Sequence, residues 1–299
     1  MTSDPVLELS SITCSFADGE NVVAALDDVS LRIHRGRMVA VMGPSGSGKS
    51  TLLHVACGLV SPTGGTLRIL GEQPPRSWAR RRLALAPGSR DVRTWWARLR
   101  RETVGVVHQR LNLMPALSAI DNVALPLRLE GTPRGPAVAA AERALAEVDA
   151  ADLAGATVDR LSTGQQQRIA LARAIVGDRS LILADEPTAA LDTVGAEQVT
   201  TLLARLAAGG RAVLMVTHDS RLATWADEVV VLRDGRVVDR IGGSDDEGHG
   251  EADTRHADSG SDPDGGSDPG GGSDSGSGSD SPGSDSSNES DDDSEVAVS

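Results

Sequence analysis

An α/β fold with a largely parallel sheet is predicted by three features of the sequence. Continuous apolar runs of strand length occur at residues 38–42, 181–184 and 212–216, the pattern of strands buried on both faces. Helical patterns lie between them, notably at 136–148 and 165–176. Strands that alternate with helices over such a span imply crossover connections, and hence a mainly parallel sheet.

In chain order, residues 6–12, 22–26 and 29–33 read as short alternating strands, with Asp18-Gly19-Glu20-Asn21 a turn between the first two. The run at 38–42 enters Gly43-Pro44-Ser45-Gly46-Ser47-Gly48-Lys49-Ser50-Thr51. Leu52, Leu53, Val55, Ala56 and Leu59 then give one face of a helix, which Gly58 and Pro62 help to end. The run at 181–184 ends in Asp185-Glu186-Pro187, and that at 212–216 ends in Thr217-His218-Asp219. Residues 229–232 and 237–241 form a closing pair around the turn Asp234-Gly235. A folded body over 1–241 is followed at 242–299 by Gly, Ser, Asp and Pro, too poor in apolar residues to offset its ordering entropy, so a disordered tail is expected there.

Charge follows the same division. The 299 residues include 29 Lys and Arg against 43 Asp and Glu, a formal charge of −14. Residues 242–299 hold 17 of the acidic residues and one Arg, which leaves the first 241 close to neutral. No apolar run approaches the roughly 18 residues that would span a membrane. The start, Met1-Thr2-Ser3-Asp4-Pro5, lacks the basic and apolar regions of a signal peptide, so a cytosolic body is expected. Cys14 and Cys57 have neither disulfide-scaffold nor zinc spacing and read as small buried hydrophobes. Five aromatics in all are too few for the stacking platforms of a single-strand nucleic-acid binder, so no nucleic-acid partner is expected. Of the 29 basic residues 28 are Arg, and the one Lys is Lys49.

That Lys sits in a phosphate loop. Gly43 to Ser50 fits the pattern G-x-x-x-x-G-K-[ST], with a buried strand before it and a helix after it. Glycines let the backbone wrap round phosphates, and successive N–H groups point inward at a helix N-terminus. Lys49 is expected to hold the β- and γ-phosphates, Ser50 to bind Mg²⁺, and Thr51 to add a hydroxyl to the α-phosphate. Asp185 and Glu186 follow a buried parallel strand, where side chains point into the ligand crevice. Asp185 can hold Mg²⁺ through water, and Glu186 is placed to polarise an attacking water. Phosphate hydrolysis is the chemistry these groups share.

Between the two motifs lies Leu161-Ser162-Thr163-Gly164-Gln165-Gln166-Gln167-Arg168. With the phosphate loop and Leu183-Ala184-Asp185-Glu186-Pro187-Thr188, it resembles the nucleotide-binding domain of ATP-binding cassette (ABC) transporters, over roughly residues 6–241. The resemblance implies a P-loop NTPase (RecA-like) core, an antiparallel β subdomain and an inserted helical signature subdomain at about 110–177. Phe16 sits where the family places an aromatic on the adenine; it is the only Phe and there is no Tyr. Gln109 sits where a glutamine links the site to the transmembrane partner and contacts Mg²⁺ or the lytic water. Asp192 matches the loop that crosses the dimer interface, and His218 the histidine that hydrogen-bonds the γ-phosphate. Leu161, Ser162, Thr163, Gly164 and Gln165 would face the ATP held by the other subunit, so a homodimer with two sandwiched ATP molecules is implied.

The stretch 104–127 looks like the macrolide-exporter and lipoprotein-releasing branch. That branch pairs its ATPases with a separate permease, of the FtsX-like or macrolide-exporter-like kind, on the inner face of the cell membrane. A cell-division or signalling ATPase acting through such a permease without net transport is the alternative. Two residues depart from the pattern. Thr163 replaces a usual Gly, and its stiff β-branched side chain fits only at negative φ. His108 stands where Phe is common and reads as a tolerated surface substitution. Residues 76–101 carry nine Arg against Asp91 alone, with Trp78, Trp95 and Trp96. They read as a solvated Arg face with packed Trp, or alternatively as a contact for anionic lipid headgroups. The acidic tail reads as a solubilising extension, or as a partner for that Arg-rich segment.

Overall fold

The computed structural model describes residues 4–19, 21–75, 90–177 and 179–243. The expected tail from residue 244 onward, Glu20 of the first turn, and Arg76, Trp78 and Arg80 to Arg82 of the Arg-rich segment lie outside the described residues. Strands run β1 (Leu7–Asp18), β2 (Asn21–Ile33), β3 (Met38–Met42), β4 (Gly64–Ile69), β5 (Val104–Val107), β6 (Leu181–Asp185), β7 (Ala212–Val216), β8 (Glu228–Arg233) and β9 (Arg236–Gly242). Helices are α1 (Lys49–Ala56), α2 (Arg90–Glu102), α3 (Ala119–Leu129), α4 (Arg134–Glu147), α5 (Thr163–Ile175), α6 (Thr193–Ala208) and the single turn α7 (Ser220–Ala223). Among the described residues, no helix is long and apolar enough to cross a membrane.

Two sheets form. An antiparallel one has the order β2-β1-β4, and a six-stranded one has the order β5-β6-β7-β3-β8-β9. In the larger sheet only β9 runs antiparallel to its neighbour, so β3, β5, β6, β7 and β8 all end at one edge. Period-two alternation divides the interior into two cores. Val39, Val41, Leu181, Leu183, Leu214 and Val216 pack with α1, α2 and the antiparallel sheet. Met38, Ala40, Ile182, Ala184, Val213 and Met215 pack on the other face with α3 to α6. Both cysteines are buried without a disulfide, and burial pushes each thiol up to about 11.

The structure joins two expected strands into one and adds helices, α3 and α2 among them, to the elements expected from the sequence. The two strands read at 22–26 and 29–33 are one strand, β2. Asp28 takes a φ of 56°, and the pairing with β1 slips between Ile12 and Cys14, so the Asp pair marks a bulge, not a break. Helix α3 runs through Pro126; Ser118 caps its start by accepting from Asp121 N at 3.2 Å, and tertiary packing of Val123 and Ala124 outweighs the lost donor. Helix α2 accounts for the Trp pair. Trp96 is 3% exposed in the first core and Trp95 is half-buried against it, their rings edge to face at 4.8 Å. Trp96 lies over Gly58, where a Cβ would come within 1.9 Å of the indole, and Arg100 donates to Cys57 O at 3.2 Å. So α2 closes the C-terminal end of α1, and Trp95 and Trp96 pack inward, as the packed-Trp reading of this segment expected.

Candidate active site

The loop between β3 and α1 is shaped by glycine where it passes against β2. Gly48 has a φ of 101°, and a Cβ there would lie 2.3 Å from Ala25 O of β2. The next residue, Lys49, is 8% exposed and its Nζ donates to Gly43 O and Pro44 O, each at 2.9 Å. The ammonium is thereby folded back beneath the loop. Pro44, Ser45 and Gly46 are exposed, while Ser47 is buried with its hydroxyl unpartnered. Ser50 and Thr51 open α1 just beyond.

Asp185 closes β6 at 9% exposed, near the Ser50 side chain that lowers its pKa, and its Oδ1 is buried without a partner. An acceptor-only oxygen held beside a hydroxyl fits a hard, oxygen-seeking cation, so the residues present suit Mg²⁺. Burial pushes the Asp185 carboxyl above its ordinary value, while His54, His108, Lys49 and the Ser50 side chain pull it back. A carboxyl raised by folding opposes stability increasingly as pH climbs from its unfolded toward its folded pKa. Asp185→Asn is therefore expected to raise the thermal midpoint near neutral pH in metal-free buffer. Below the ordinary carboxylate range the gain should vanish, and Mg²⁺-dependent hydrolysis should be lost throughout. A midpoint that falls near neutrality would show the ionised carboxylate to be stabilising on balance.

Glu186 follows with a φ of 46°, its N–H bonded to Val216 O at the end of β7. This left-handed turn swings the side chain toward the loop after β7, where Glu186 Oε2 meets His218 Nδ1 at 2.8 Å. Gln109 is exposed two residues past β5, beside the end of β6. Lys49, Ser50, Asp185, Glu186, His218 and Gln109 thus all lie at or just beyond the C-terminal edge of the parallel sheet, where such sheets bind ligands. Phe16 lies apart from them on β1, half-buried against the first core and paired across the hairpin with Val23.

His108 is a correction to the sequence expectation. It is half-buried, and desolvation, Arg173 and His54 push its pKa down while Asp185 pulls it up. Alternation along β5 explains this. Val104 and Val106 face the first core, so His108 continues on the side of α1 and not of solvent. Sequence reasoning also passed over His54, which lies on α1; the period of β5 was the signal that would have aimed His108 toward that helix.

The signature opens α5. Ser162 is the N-cap, its Oγ accepting from Gln165 N at 3.3 Å while its own N–H donates to Gln165 Oε1 at 2.9 Å. Its O–H remains a donor for a ligand. Thr163 is the first helical residue and is not among the residues of positive φ, so the β-branched side chain is accommodated. Leu161 is buried beneath. Ser162, Gly164 and Gln165 line, with Asp149, Arg168 and Gln198, a concavity of about 280 Å³. Asp192 caps α6, accepting from Gly195 N at 2.8 Å.

A phosphate loop on a central parallel strand, an acidic pair at the end of a second strand and a histidine after the strand between them define a P-loop nucleotide-hydrolysing fold. The chain belongs to the ABC transporter family, as an ATPase cassette: the family profile described as ABC transporter matches residues 26–189. It is 41% identical over 236 residues to the macrolide export ATP-binding/permease protein MacB of Bradyrhizobium diazoefficiens, covering 79% of this chain and 34% of that one. It is 40% identical over 237 residues to MacB 1/2 of Paracoccus denitrificans, covering 79% and 33%. The chain thus spans about a third of the length of these curated relatives. Among solved structures it is similar to the ATP-binding cassette MJ0796 in a dimeric post-hydrolysis state bound to ADP and Pi. That likeness has a TM-score of 0.67 and 34% identity, over 79% of this chain and 98% of that one. It is also similar to cbiO1 of Clostridium perfringens, at a TM-score of 0.67 and 26% identity over 80% and 88%.

Proposed function

We propose that this chain is the ATP-hydrolysing subunit of an ABC transporter, dimerising around two ATP to drive a separate transmembrane permease in export or mechanical extrusion. Residues 1–241 are the cassette, with the helical subdomain at about 110–177, and work at the inner face of the membrane through that permease. The observation that carries this reading is that one chain holds two half-sites. Lys49, Ser50, Asp185 and Glu186 gather at the sheet edge, whereas Ser162 and Gly164 line a concavity to which no phosphate-loop residue contributes. A second copy unites them.

In this reading Lys49 neutralises the β- and γ-phosphates and the loop N–H groups fix their position. Phe16 offers its ring to the adenine, and Thr51 its hydroxyl to the α-phosphate. Ser50, Asp185 and Gln109 would hold Mg²⁺, which when bound spreads the charge of the terminal phosphates. Glu186 accepts the proton of the attacking water. His218 holds Glu186 through Nδ1 and, when both ring nitrogens carry hydrogen, offers Nε2–H to the γ-phosphate. Ser162 O–H and the free N–H groups of Thr163 and Gly164 meet the γ-phosphate of the other copy, and Asp192 starts the helix that follows the interface loop. The names and resemblance of the MacB relatives support a permease partner and an export direction.

To test it, Glu186→Gln would be expressed in the native cell, membranes solubilised with ATP present, and co-purifying proteins identified. A permease with few transmembrane helices and a large extracytoplasmic domain is expected. A ribosome or a DNA-repair complex with no membrane protein would overturn the transport reading.

A further inference from the structure

The loop that carries Gln109, from the end of β5 to the start of α3, is held by side chains from two helices. From α3 comes Asn122, fully buried, whose Oδ1 accepts from Met114 N at 2.7 Å and whose Nδ2 lies 3.0 Å from Met114 O. The amide thus engages both the N–H and the C=O of one residue, as a neighbouring strand would. It also reaches Leu117 O at 3.3 Å and Ser118 O at 3.1 Å, while Leu117 N closes a turn onto Met114 O at 3.1 Å. From α5 comes Arg173. Its Nη1 donates to Asn112 O at 2.7 Å and its Nη2 to Leu111 O at 2.5 Å. Asn112 has a φ of 50°, a conformation Asn tolerates better than most residues.

Helix α5 therefore engages two parts of the machinery. Its first residues are Thr163 and Gly164 of the signature, and Arg173 lies about 15 Å further along the axis. A guanidinium that forks onto two consecutive carbonyls fixes direction as well as distance, which a single hydrogen bond does not. We propose that Arg173, assisted by Asn122, is a positioning residue that makes the Gln109 loop one body with α5. The placement of Gln109 in its own site is then tied to the placement of the signature toward the second copy. This rests on the function proposed above and deepens it: a partner pressing on the loop moves both half-sites together. A purely structural role for Arg173, satisfying two orphan carbonyls, would change stability alone.

The test is a double-mutant cycle on the full chain with Gln109→Ala, Arg173→Met and the pair, reading kcat, KM for MgATP and the thermal midpoint. Arg173→Met is expected to lower kcat by between about ten- and a hundredfold, the scale of a misplacement near 1 Å. KM should move less than about twofold, because the Lys49 cradle is untouched. Added to Gln109→Ala, Arg173→Met should cost kcat nothing further, since it acts through that residue. Additive losses, or a lowered midpoint with unchanged kcat, would overturn the proposal. Arg173→Lys keeps a cation on one carbonyl and should give intermediate kcat; it runs the same cycle if the Met variant does not fold. Amide exchange of the nucleotide-free chain reads the loop without any activity. Unchanged protection at Met114 and Leu117 in the Arg173 variants would overturn the positioning role. A wild-type chain that fails to hydrolyse MgATP would instead overturn the function on which it rests.

Discussion

Glu186→Gln is expected to lower kcat by about a hundredfold or more, the range spanned by loss of a general base, while ATP binding persists. The substitution is nearly isosteric, so most of the local geometry survives it. The amide can still reach His218 Nδ1 at the 2.8 Å now bridged by the carboxylate, and the left-handed backbone at residue 186 is unaltered. Lys49 is held by Gly43 O and Pro44 O, so the changed atoms take no part in anchoring the ammonium. What disappears is the group in this corner placed to take a proton from water, because an amide has no basic lone pair near neutrality. KM should therefore change little while kcat collapses. The variant should also accumulate as an ATP-bound dimer, since closure precedes the blocked step. Single-turnover hydrolysis and size-exclusion with ATP read the two halves of this expectation. A variant that still hydrolyses within about threefold of wild type would move the base elsewhere, with His218 next in reach.

The sheet edge is legible in the sequence because two local signals coincide there. A continuous apolar run declares a buried parallel strand, and a glycine-rich or acidic segment directly after it declares a turn into a ligand crevice. Met38 to Ser50 and Leu181 to Glu186 satisfy both, so strand, turn and chemistry fall into place together. Residues whose meaning depends on distant partners carry no such signal. Arg173 reaches Leu111 and Asn112 across 62 and 61 positions, and no local pattern marks that contact. Asn122 looks like an ordinary helix-start residue until the turn at Met114 to Leu117 folds back onto it. His108 escapes for a different reason, since its motif position says nothing of the strand alternation that aims it inward. Local propensity speaks against continuity at Asp27-Asp28 and at Pro126, and tertiary packing overrides it in both places.

Lys49→Ala is expected to remove nearly all stabilisation of the folded chain by ATP. The ammonium is 8% exposed and held by two carbonyl oxygens, and among the described residues no carboxylate forms an ion pair with it. A buried cation whose direct partners are neutral carbonyls, with the Asp185 carboxyl acting on it only without contact, is incompletely compensated, and a phosphate chain laid over Gly43 and Pro44 supplies further negative charge. Hydrogen bonds to charged groups contribute about 1.5–3 kcal/mol each, so losing the ammonium should weaken ATP binding by about a hundredfold. At an ATP concentration about a hundred times the wild-type Kd, the wild-type chain gains about 2.7 kcal/mol from the ligand, and the variant should gain only a few tenths. Without ATP the variant should melt close to wild type, because removing an incompletely compensated charge costs the apo fold little. Lys49→Arg should not restore binding: the planar fork has neither the compact head nor the single-point geometry that fits between Gly43 O and Pro44 O. Thermal melts with and without MgATP decide the matter. An undiminished ATP shift in Lys49→Ala would mean that the loop N–H groups alone hold the phosphates, and that the chain's one lysine serves to brace the loop and not to bind the nucleotide.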